Sequence, residues 1–496
     1  MGRLEDQCKI SADMPHRSLP SLIQDHGIKI LVLTHVFFWT LIPALTQHNA
    51  PLDVAEGFAW GREWQWGYYK HPPLQSWLLE ITRTIFGTSG IGYFGLAALC
   101  GGVALWAVYK TAALLTDKTT ALIAAALTQS ILYFTFLSPE FNPNTLQLML
   151  WALAAYAFAG ALILKTTRYW IALGVIFAAG FYAKYFMAVC GVSFVLFMLV
   201  HKESRRWLLR PQPYLASLIC ALLCTPHLIW LVQYHYLPFT YAANRLVHTT
   251  GLLKSALAAL TFAGAQILAL LPPILLGAVL SYPYQTAKNV HQSLIRWLAF
   301  APLALSVVPS LISGQGLRSM WGVPIVTFVP LWLVTHFRVH TLRIRSFVFA
   351  WSWLFFLVLF SYAGNQMFAA DLGFKPSRGH YPGQEMAQFF SKLWQEKTDK
   401  PLSYVVGDEW EACNVAIYSP MQPRPHVWIY GTDSVSPWIH EADVLRLGAV
   451  IVWNGEESKP PAWVDVFVSR FPGTEIQPVH RFKNIPLGSA ILLPQP

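Results

Sequence analysis

The residues best suited to chemistry lie in one segment near the start of the chain, residues 53–74. Asp53 and Glu56 are three positions apart, so on a helix both carboxylates lie on one face. The segment continues to Lys70 and His71, which precede Pro-Pro-Leu. A carboxylate here can take a proton from an attacking group, and the cations can neutralise an anionic leaving group. Asp53 could equally be only the N-cap of a helix, because aspartate is a favoured capping residue.

Further polar residues interrupt the apolar sequence at three later places. They are Glu140 with Asn142, Lys184 with Tyr185, and Arg318 with Trp321. A single lysine at a membrane boundary commonly extends its ammonium into the headgroup layer and binds nothing. Carboxylates and cations gathered from four loops on one membrane face instead favour a site for an anionic substrate.

The composition places these loops in a membrane protein. Hydrophobic residues make up 55% of the 496 positions and charged residues 12%, about half the ~25% of soluble domains. The first 363 residues carry 24 basic and 11 acidic residues, whereas residues 364–496 carry 11 basic and 14 acidic ones. The basic excess fits loops that face anionic lipid, so it does not indicate binding to nucleic acid.

Eleven apolar segments are predicted to cross the membrane as helices. The connections on one side total 48 residues with 12 Lys/Arg, and those on the other side total 76 residues with 7. This asymmetry predicts a cytoplasmic N-terminus. The segments are 28–46, 91–115, 120–137, 143–163, 170–181, 185–200, 213–235, 255–280, 297–313, 319–336 and 347–363.

The stretch 170–200 is too short for two full spans, and treating it as one would move every later basic loop to the outer side. We therefore predict two short helices that meet at residues 182–184. The odd number of segments then places residues 364–496 outside the membrane, as a domain separate from residues 1–363. This tail combines a helical pattern with β-type runs, which predicts a small α/β domain. The helix is predicted at Gln384–Lys397 and the strands at Leu402–Val406, Val427–Tyr430 and Ala449–Trp453.

The first outer loop, residues 47–90, resembles that of the bacterial protein-mannosyltransferase-like glycosyltransferases. That family includes the aminoarabinose transferases that modify lipid A. The resemblance rests on the spacing from Asp53 to the His-Pro-Pro-Leu motif at residues 71–74, and the later pairs resemble weaker family signatures. The chain departs from the family at Val54, where many members have a second acid directly after the first, so the second acidic role is expected at Glu56.

The resemblance implies a polytopic helical membrane protein of the type C glycosyltransferase fold. It implies a polyprenyl-phosphate-sugar donor and an acceptor such as lipid A, another cell-envelope glycan or a protein, at the periplasmic face of the inner membrane. Asp53 is the expected general base, with Glu56 and Glu140 as further catalytic carboxylates. The donor phosphate is expected to contact Lys184, Arg318, Lys70 and His71. Sugar or acceptor contacts are expected from Tyr69, Asn142, Tyr185 and Trp321.

Two questions stay open at this stage. A divalent cation between Asp53 and Glu140 is compatible with their oxygen ligands, but the sequence does not require one. The competing function is a transporter or flippase for a lipid-linked glycan, which would also collect charges inside a membrane. Transporters commonly show internal repeats and ionisable residues at the membrane midplane. This sequence shows no repeat and places its charges at one face, which favours the enzyme.

Overall fold

The apolar segments fold into helices in a computed structural model that describes residues 21–245, 252–283, 290–339, 343–374, 377–429, 433–455 and 460–495. The helices of the membrane part are α1 Ser21–Thr46, α2 Leu52–Gly61, α3 Leu74–Phe86, α4 Gly90–Leu115, α5 Lys118–Gln129, α6 Pro143–Leu164, α7 Thr167–Ala183, α8 Met187–Val200, α9 Pro211–Gln233, α10 Leu237–Arg245, α11 Leu252–Ala269, α12 Leu271–Leu280, α13 Val290–Ser313, α14 Val329–His336 and α15 Ile344–Phe368.

Each of the eleven predicted segments contains a helix, but they are not eleven full-length spans. By length and composition, six of the described helices can cross a membrane, or seven if the bent pair α11–α12 counts as one span. The four remaining segments form the shorter helices α5, α7, α8 and α14. Helix α7 ends beside Lys184 and α8 begins just after it, whereas turns and short 3₁₀ helices separate α5 from residues 138–142 and α14 from residues 318–321.

The predicted break within residues 170–200 is present. Helix α7 ends at Ala183, and α8 begins at Met187. The buried side chain of Gln147, on α6, donates from Nε2 to the carbonyl of Gly180 at 2.8 Å and to that of Lys184 at 3.3 Å. Carbonyls released by a break inside a membrane protein need such partners, because lipid offers none. Gln147 therefore stabilises the conformation that presents Lys184.

The first outer loop contains two packed helices, α2 and α3. Gly57 and Gly61 lie four positions apart on α2, and they contact Leu79 and the backbone of Ser76 on α3. A Cβ added at Gly61 would lie 2.5 Å from the Ser76 carbonyl oxygen, so only glycine permits this close approach. The pair fixes where α2 begins, and Asp53 lies in its first turn.

The tail forms the predicted α/β domain. Its helices are α16 Gly383–Gln395, α17 Glu411–Tyr418, α18 Glu441–Leu447 and α19 Ala462–Arg470. Its strands are β3 Tyr404–Gly407, β4 Arg424–Ile429, β5 Asp433–Ser434, β6 Ala449–Asn454, β7 Thr474–Phe482 and β8 Ile485–Leu492. The three strands predicted here correspond to β3, β4 and β6, although Tyr430 lies outside the described residues. A separate ladder pairs β1 Ser281–Pro283 with β2 Phe337–Val339.

The sheet of this domain has the order β5-β4-β3-β6-β8-β7. Strand β3 is parallel to both neighbours, β4 and β6, which follow it on opposite sides. The chain therefore changes direction across the sheet at the carboxyl end of β3, where α/β sheets commonly form sites. Residues 408–410 form this loop, and they lie against the first outer loop of the membrane part.

A bidentate ion pair also joins the two parts. Arg424 on β4 donates from Nε and Nη2 to Glu63, at 2.8 and 2.6 Å. Close by, Arg62 donates to the carbonyls of Gln422 and Ala416 at 2.8 and 3.0 Å. Paired guanidinium–carboxylate bonds fix orientation as well as distance. The α/β domain is thus seated on the segment that carries Asp53.

Candidate active site

Asp53 is the most accessible carboxylate of its group, with 26% of its side chain exposed. It lies in the first turn of α2, whose N-cap is Pro51, and no side chain caps this helix. The capping interpretation of Asp53 is therefore wrong. The backbone N–H of Asp53 donates to Glu140 Oε1 at 3.1 Å, and its carbonyl accepts from Gln75 Nε2 at 2.7 Å. These bonds fix the backbone and leave the carboxylate directed at Lys70, 4.0 Å away.

Lys70 lies within a cluster of three carboxylates. Its Nζ is 3.1 Å from Glu56, 3.4 Å from Glu409 and 4.0 Å from Asp53. Burial alone would lower the pKa of Lys70, but the three carboxylates outweigh it and raise that pKa. The three carboxylates compensate the charge of the Lys70 ammonium. This geometry favours a role in which Lys70 orients the carboxylates over one in which it binds a phosphate. A phosphate contact from Lys70 stays a prediction.

Glu56 is buried beside Lys70. Burial raises the pKa of Glu56 well above its usual range, with Lys70 opposing and Glu409 adding to the shift. Burial would also raise the pKa of Glu409, but a hydrogen bond with Glu56 and the charge of Lys70 hold it at about 2. Within this pair, burial therefore favours a proton on Glu56 over one on Glu409. The buried hydroxyl of Tyr69 donates to Glu409 at 2.5 Å, so its predicted sugar contact remains untested.

Glu140 and Asn142 lie in the loop before α6. Burial raises the pKa of the Glu140 carboxyl to about 7, and the charge of Asp53 adds to the shift. Asn142 is the N-cap of α6, since its Oδ1 accepts from the N–H groups of Asn144 and Thr145 at 2.9 and 3.2 Å. Glu140 is thus close to Asp53, as predicted for a catalytic pair, while the Asn142 oxygen is used in the fold.

Lys184 projects from the break between α7 and α8 and is half-buried. Its Nζ donates to Asn144 Oδ1 at 2.6 Å and lies 5.6 Å from the ring centroid of Trp321. Burial lowers the pKa of Lys184 to about 8, with Asp53 opposing the shift and Arg318 adding to it. The side chain is held by protein partners, which distinguishes it from a lysine that extends into the headgroups.

The other residues predicted for the site, Arg318, His71 and Tyr185, lie around Lys184 and Lys70. Arg318 is exposed, and its charge acts on Lys184. Burial and the charges of Lys70 and Lys184 hold the pKa of His71 well below its usual value, so the imidazole is neutral. Tyr185 lies beside His227, with its hydroxyl 2.9 Å from Nε2. Because Nδ1 of His227 donates to a backbone carbonyl at 2.6 Å, Nε2 accepts from the Tyr185 hydroxyl.

A cavity of about 370 Å³ opens beside Glu140. One part of its wall is polar, from Glu140, Asn142, Asn144 and Ser319. The rest is mainly apolar and comes from the loop before α6, the end of α11 and the turn before α14, with residues Leu132, Leu137, Ala265, Leu268, Ala269, Met320 and Val323. A mainly apolar cavity with a few polar groups fits an amphipathic ligand.

The fold as a whole is similar to that of ArnT from Cupriavidus metallidurans. The structure bound to undecaprenyl phosphate matches with a TM-score of 0.59 and 11% identity, and the apo structure with 0.60 and 10%. Both matches cover 94% of this chain and 98% of that chain. Residues 70–230 match the family model described as dolichyl-phosphate-mannose-protein mannosyltransferase. The chain is a membrane glycosyltransferase of the type C fold. A comparison with curated proteins gave no match.

The matched range contains part of the glycosyltransferase site. Lys70, His71, Glu140 and Lys184 lie within residues 70–230, whereas Asp53 lies outside them. At identities of 10 and 11% the structural matches show a common fold only. The roles of individual residues in the glycosyltransferase therefore rest on their geometry.

Sequence reasoning missed three side chains of the glycosyltransferase site. Glu409 completes the cluster around Lys70, Asn144 holds Lys184, and Gln75 bonds the Asp53 carbonyl and, at 3.4 Å, that of Phe141. Asn144 and Gln75 lie close to the polar residues singled out above, each at the second position of its helix, where a polar side chain is a detectable signal. Glu409 is 339 positions from Lys70, and the sequence carries no local sign of that contact.

Asp53 and Glu140 are the two candidate ligands for a divalent cation. Within the described residues, no group of three His, Cys, Asp or Glu side chains could hold a metal ion. Asp53 and Glu140 alone would supply two carboxylates, and the remaining ligands would come from substrate or water. The chemistry proposed below uses the side chains of the chain itself.

Proposed function

We propose that the protein transfers a sugar from a polyprenyl-phosphate donor to a cell-envelope acceptor at the periplasmic face of the inner membrane. The acceptor class comprises lipid A, another envelope glycan or a protein. The observation that carries the proposal is the mainly apolar cavity that includes the polar side chains of Glu140 and Asn144, next to Asp53 and Lys184. An apolar wall suits a prenyl chain, and the polar end suits its phosphate. That the ArnT structure holds undecaprenyl phosphate supports the choice of donor.

The donor's leaving group is a lipid phosphate, which needs charge compensation more than protonation. Lys184 is placed for this role, because it lies next to the polar wall of the cavity through Asn144. Arg318 is exposed near it and can approach the same phosphate. Fixed cations aimed at developing charge are an effective form of transition-state stabilisation.

Asp53 is the proposed general base. Its carboxylate is accessible, whereas Glu56 is buried and lies 3.1 Å from Lys70. The acceptor hydroxyl would lose its proton to Asp53 as its oxygen attacks C1 of the sugar, and the C1–O bond to the phosphate would break. Attack opposite the phosphate inverts the configuration at C1.

Mass spectrometry of lipid A and surface glycans from a deletion strain tests this function. We expect one sugar substituent to be missing, and to return with the wild-type chain but not with Asp53→Asn. Accumulation of the polyprenyl-phosphate sugar should accompany its loss. A missing substituent together with donor trapped on the cytoplasmic side would instead support the flippase, and unchanged glycans would contradict the proposal.

Filling the cavity should weaken use of the donor. Ala265 lines its apolar wall, so Ala265→Phe places a ring where the prenyl chain is proposed to lie. Overpacking typically costs about 1–3 kcal/mol, so we expect the KM for donor to rise about 10-fold. Gly264→Phe is the matched control, because a Cβ at Gly264 meets nothing within 4 Å. Equal KM values for the two variants would place the donor elsewhere.

The division at residue 363 and the periplasmic side of the tail also belong to the proposal. Helix α15 continues to Phe368, and the α/β domain follows it. Reporter fusions at Pro496 and Glu203 should report periplasm and cytoplasm respectively, because the connections predicted to be cytoplasmic hold 12 of the 19 basic loop residues. Two reporters on the same side would contradict this topology.

A further inference from the structure

Glu409 comes from the α/β domain and reaches into the site of the membrane part. We propose that Glu409 is a positioning residue: it holds Lys70, and through Lys70 the base Asp53, so that the α/β domain completes the active site. The catalytic consequence rests on the proposed function, whereas the contact with Lys70 can be tested without it.

The contacts connect Glu409 to the base in two steps. Its Oε2 accepts from the Tyr69 hydroxyl at 2.5 Å and from Lys70 Nζ at 3.4 Å. The same Nζ is 4.0 Å from Asp53 Oδ1, and Lys70 keeps only 10% of its side chain exposed. A lysine on a flexible stem is held in one direction only if its partners fix it. Glu56 and Glu409 are both closer to this ammonium than Asp53 is.

The distances single out Glu409 as a partner of Lys70. Glu409 lies 3.4 Å from the Lys70 ammonium, closer than Asp53 at 4.0 Å. Glu56 is closer still, at 3.1 Å, but its burial disfavours the charged form of its carboxyl and raises its pKa. Removing one partner of a buried ion pair leaves an uncompensated charge, which is unfavourable. Without Glu409, Lys70 would move toward Asp53 and occupy the carboxylate that the acceptor needs.

The fold directs Glu409 at this place. Its loop follows β3 at the carboxyl end of the parallel strands. Asp408 Oδ1 accepts from the N–H groups of Trp410 and Glu411 at 2.9 and 3.1 Å, which shapes the turn. The turn leaves Glu409 as the side chain that faces the first outer loop. The carboxyl end of the parallel strands thus contributes Glu409 to the site in the membrane part.

A purely structural role is the alternative, since ion pairs between parts of a chain also serve as attachments. The chain supplies a matched control for it in Arg424 and Glu63, a bidentate pair between the same two parts. Arg424→Gln removes an attachment of comparable chemistry without touching Lys70 or Asp53. Glu409→Gln keeps the size and an acceptor for Tyr69 but removes the charge.

The experiment compares wild type, Glu409→Gln and Arg424→Gln as full-length protein in detergent or nanodiscs. Acetylation of Lys70 by acetic anhydride is measured by peptide mass spectrometry, relative to Lys392, whose side chain is 80% exposed. We expect Lys70 labelling to rise severalfold in Glu409→Gln only. For transfer, we expect kcat to fall about 10-fold or more with the KM for donor unchanged, because a ~1 Å displacement near the reacting atoms can cost ~10²-fold.

The outcomes separate the two proposals. Equal labelling of Lys70 in Glu409→Gln and wild type overturns the positioning role, as does an equal loss of kcat in Glu409→Gln and Arg424→Gln. If Lys70 labelling rises in Glu409→Gln but the wild-type chain transfers no sugar, the proposed function is refuted and the contact is supported. A double variant with Lys70→Met should lose no more kcat than Lys70→Met alone, since both changes remove one interaction.

Discussion

Replacing Asp53 with asparagine should lower sugar transfer by about 10²-fold or more, with the protein still folded and inserted. General base catalysis contributes typically 10²–10⁴-fold, and asparagine keeps the size of the side chain while removing its basicity. The backbone bonds of Asp53 to Glu140 and Gln75 do not depend on the side chain. The measurement is single-turnover transfer by purified protein, or recovery of the glycan in the complemented deletion strain.

The chain supplies a control for this substitution. Asp117 is a true N-cap, since its Oδ1 accepts from the N–H groups of Thr119 and Thr120 at 2.9 and 3.0 Å. Asp117→Asn should be nearly silent, because asparagine caps about as well as aspartate. Asp53→Glu keeps a base but moves it by one methylene, so a partial loss is expected. Near-wild-type transfer by well-expressed Asp53→Asn would exclude the base.

Lys184→Ala should weaken donor binding by roughly 10- to 100-fold, the range given by the loss of a charged hydrogen bond worth about 1.5–3 kcal/mol. Lys184→Arg keeps the charge but not the compact shape beside Asn144 and Trp321, so a smaller loss is expected. The measurement is the Kd or KM for a polyprenyl-phosphate sugar, since the predicted effect is on binding.

Lys110 is the matched control, because its Nζ lies 5.9 Å from the ring centroid of Trp106, as Lys184 lies over Trp321. Lys110→Ala removes a similar cation from a helix that contributes nothing to the proposed site. We expect it to leave the donor affinity unchanged. Equal affinities of Lys184→Ala and wild type would support the headgroup interpretation of Lys184.

Hydropathy and charge were sufficient to predict the helices, because crossing lipid requires long apolar runs whatever their neighbours are. All eleven predicted segments contain helix, and the break before Lys184 was required by the charge of the next loop. The number of full spans was not predictable. Four segments contain shorter helices, and at the break beside Lys184 the backbone is held by Gln147, a partner from another helix.

The polar loops were likewise identifiable from the sequence, since carboxylates and lysines stand out among apolar residues. Which of these side chains contact one another was not predictable. Lys70 was predicted to bind phosphate, but the fold places three carboxylates around it. Asn142 was predicted to contact a sugar, but its oxygen caps α6. Packing of distant parts of the chain brings Glu409 to Lys70, whereas Asn142 caps the N–H groups that directly follow it in the chain.

The sequence by itself determined a helical membrane protein with an α/β tail, and the face on which its polar residues gather, because these follow from apolar length, charge asymmetry and short-range spacing. Only the tertiary structure decided which carboxylate is accessible and which ones surround Lys70. Those properties depend on burial and on distances of a few ångströms, such as that between Lys70 and Glu409, 339 positions apart in the chain. Electrostatic interactions at that range are set by the final packing of the parts, and no local pattern encodes it.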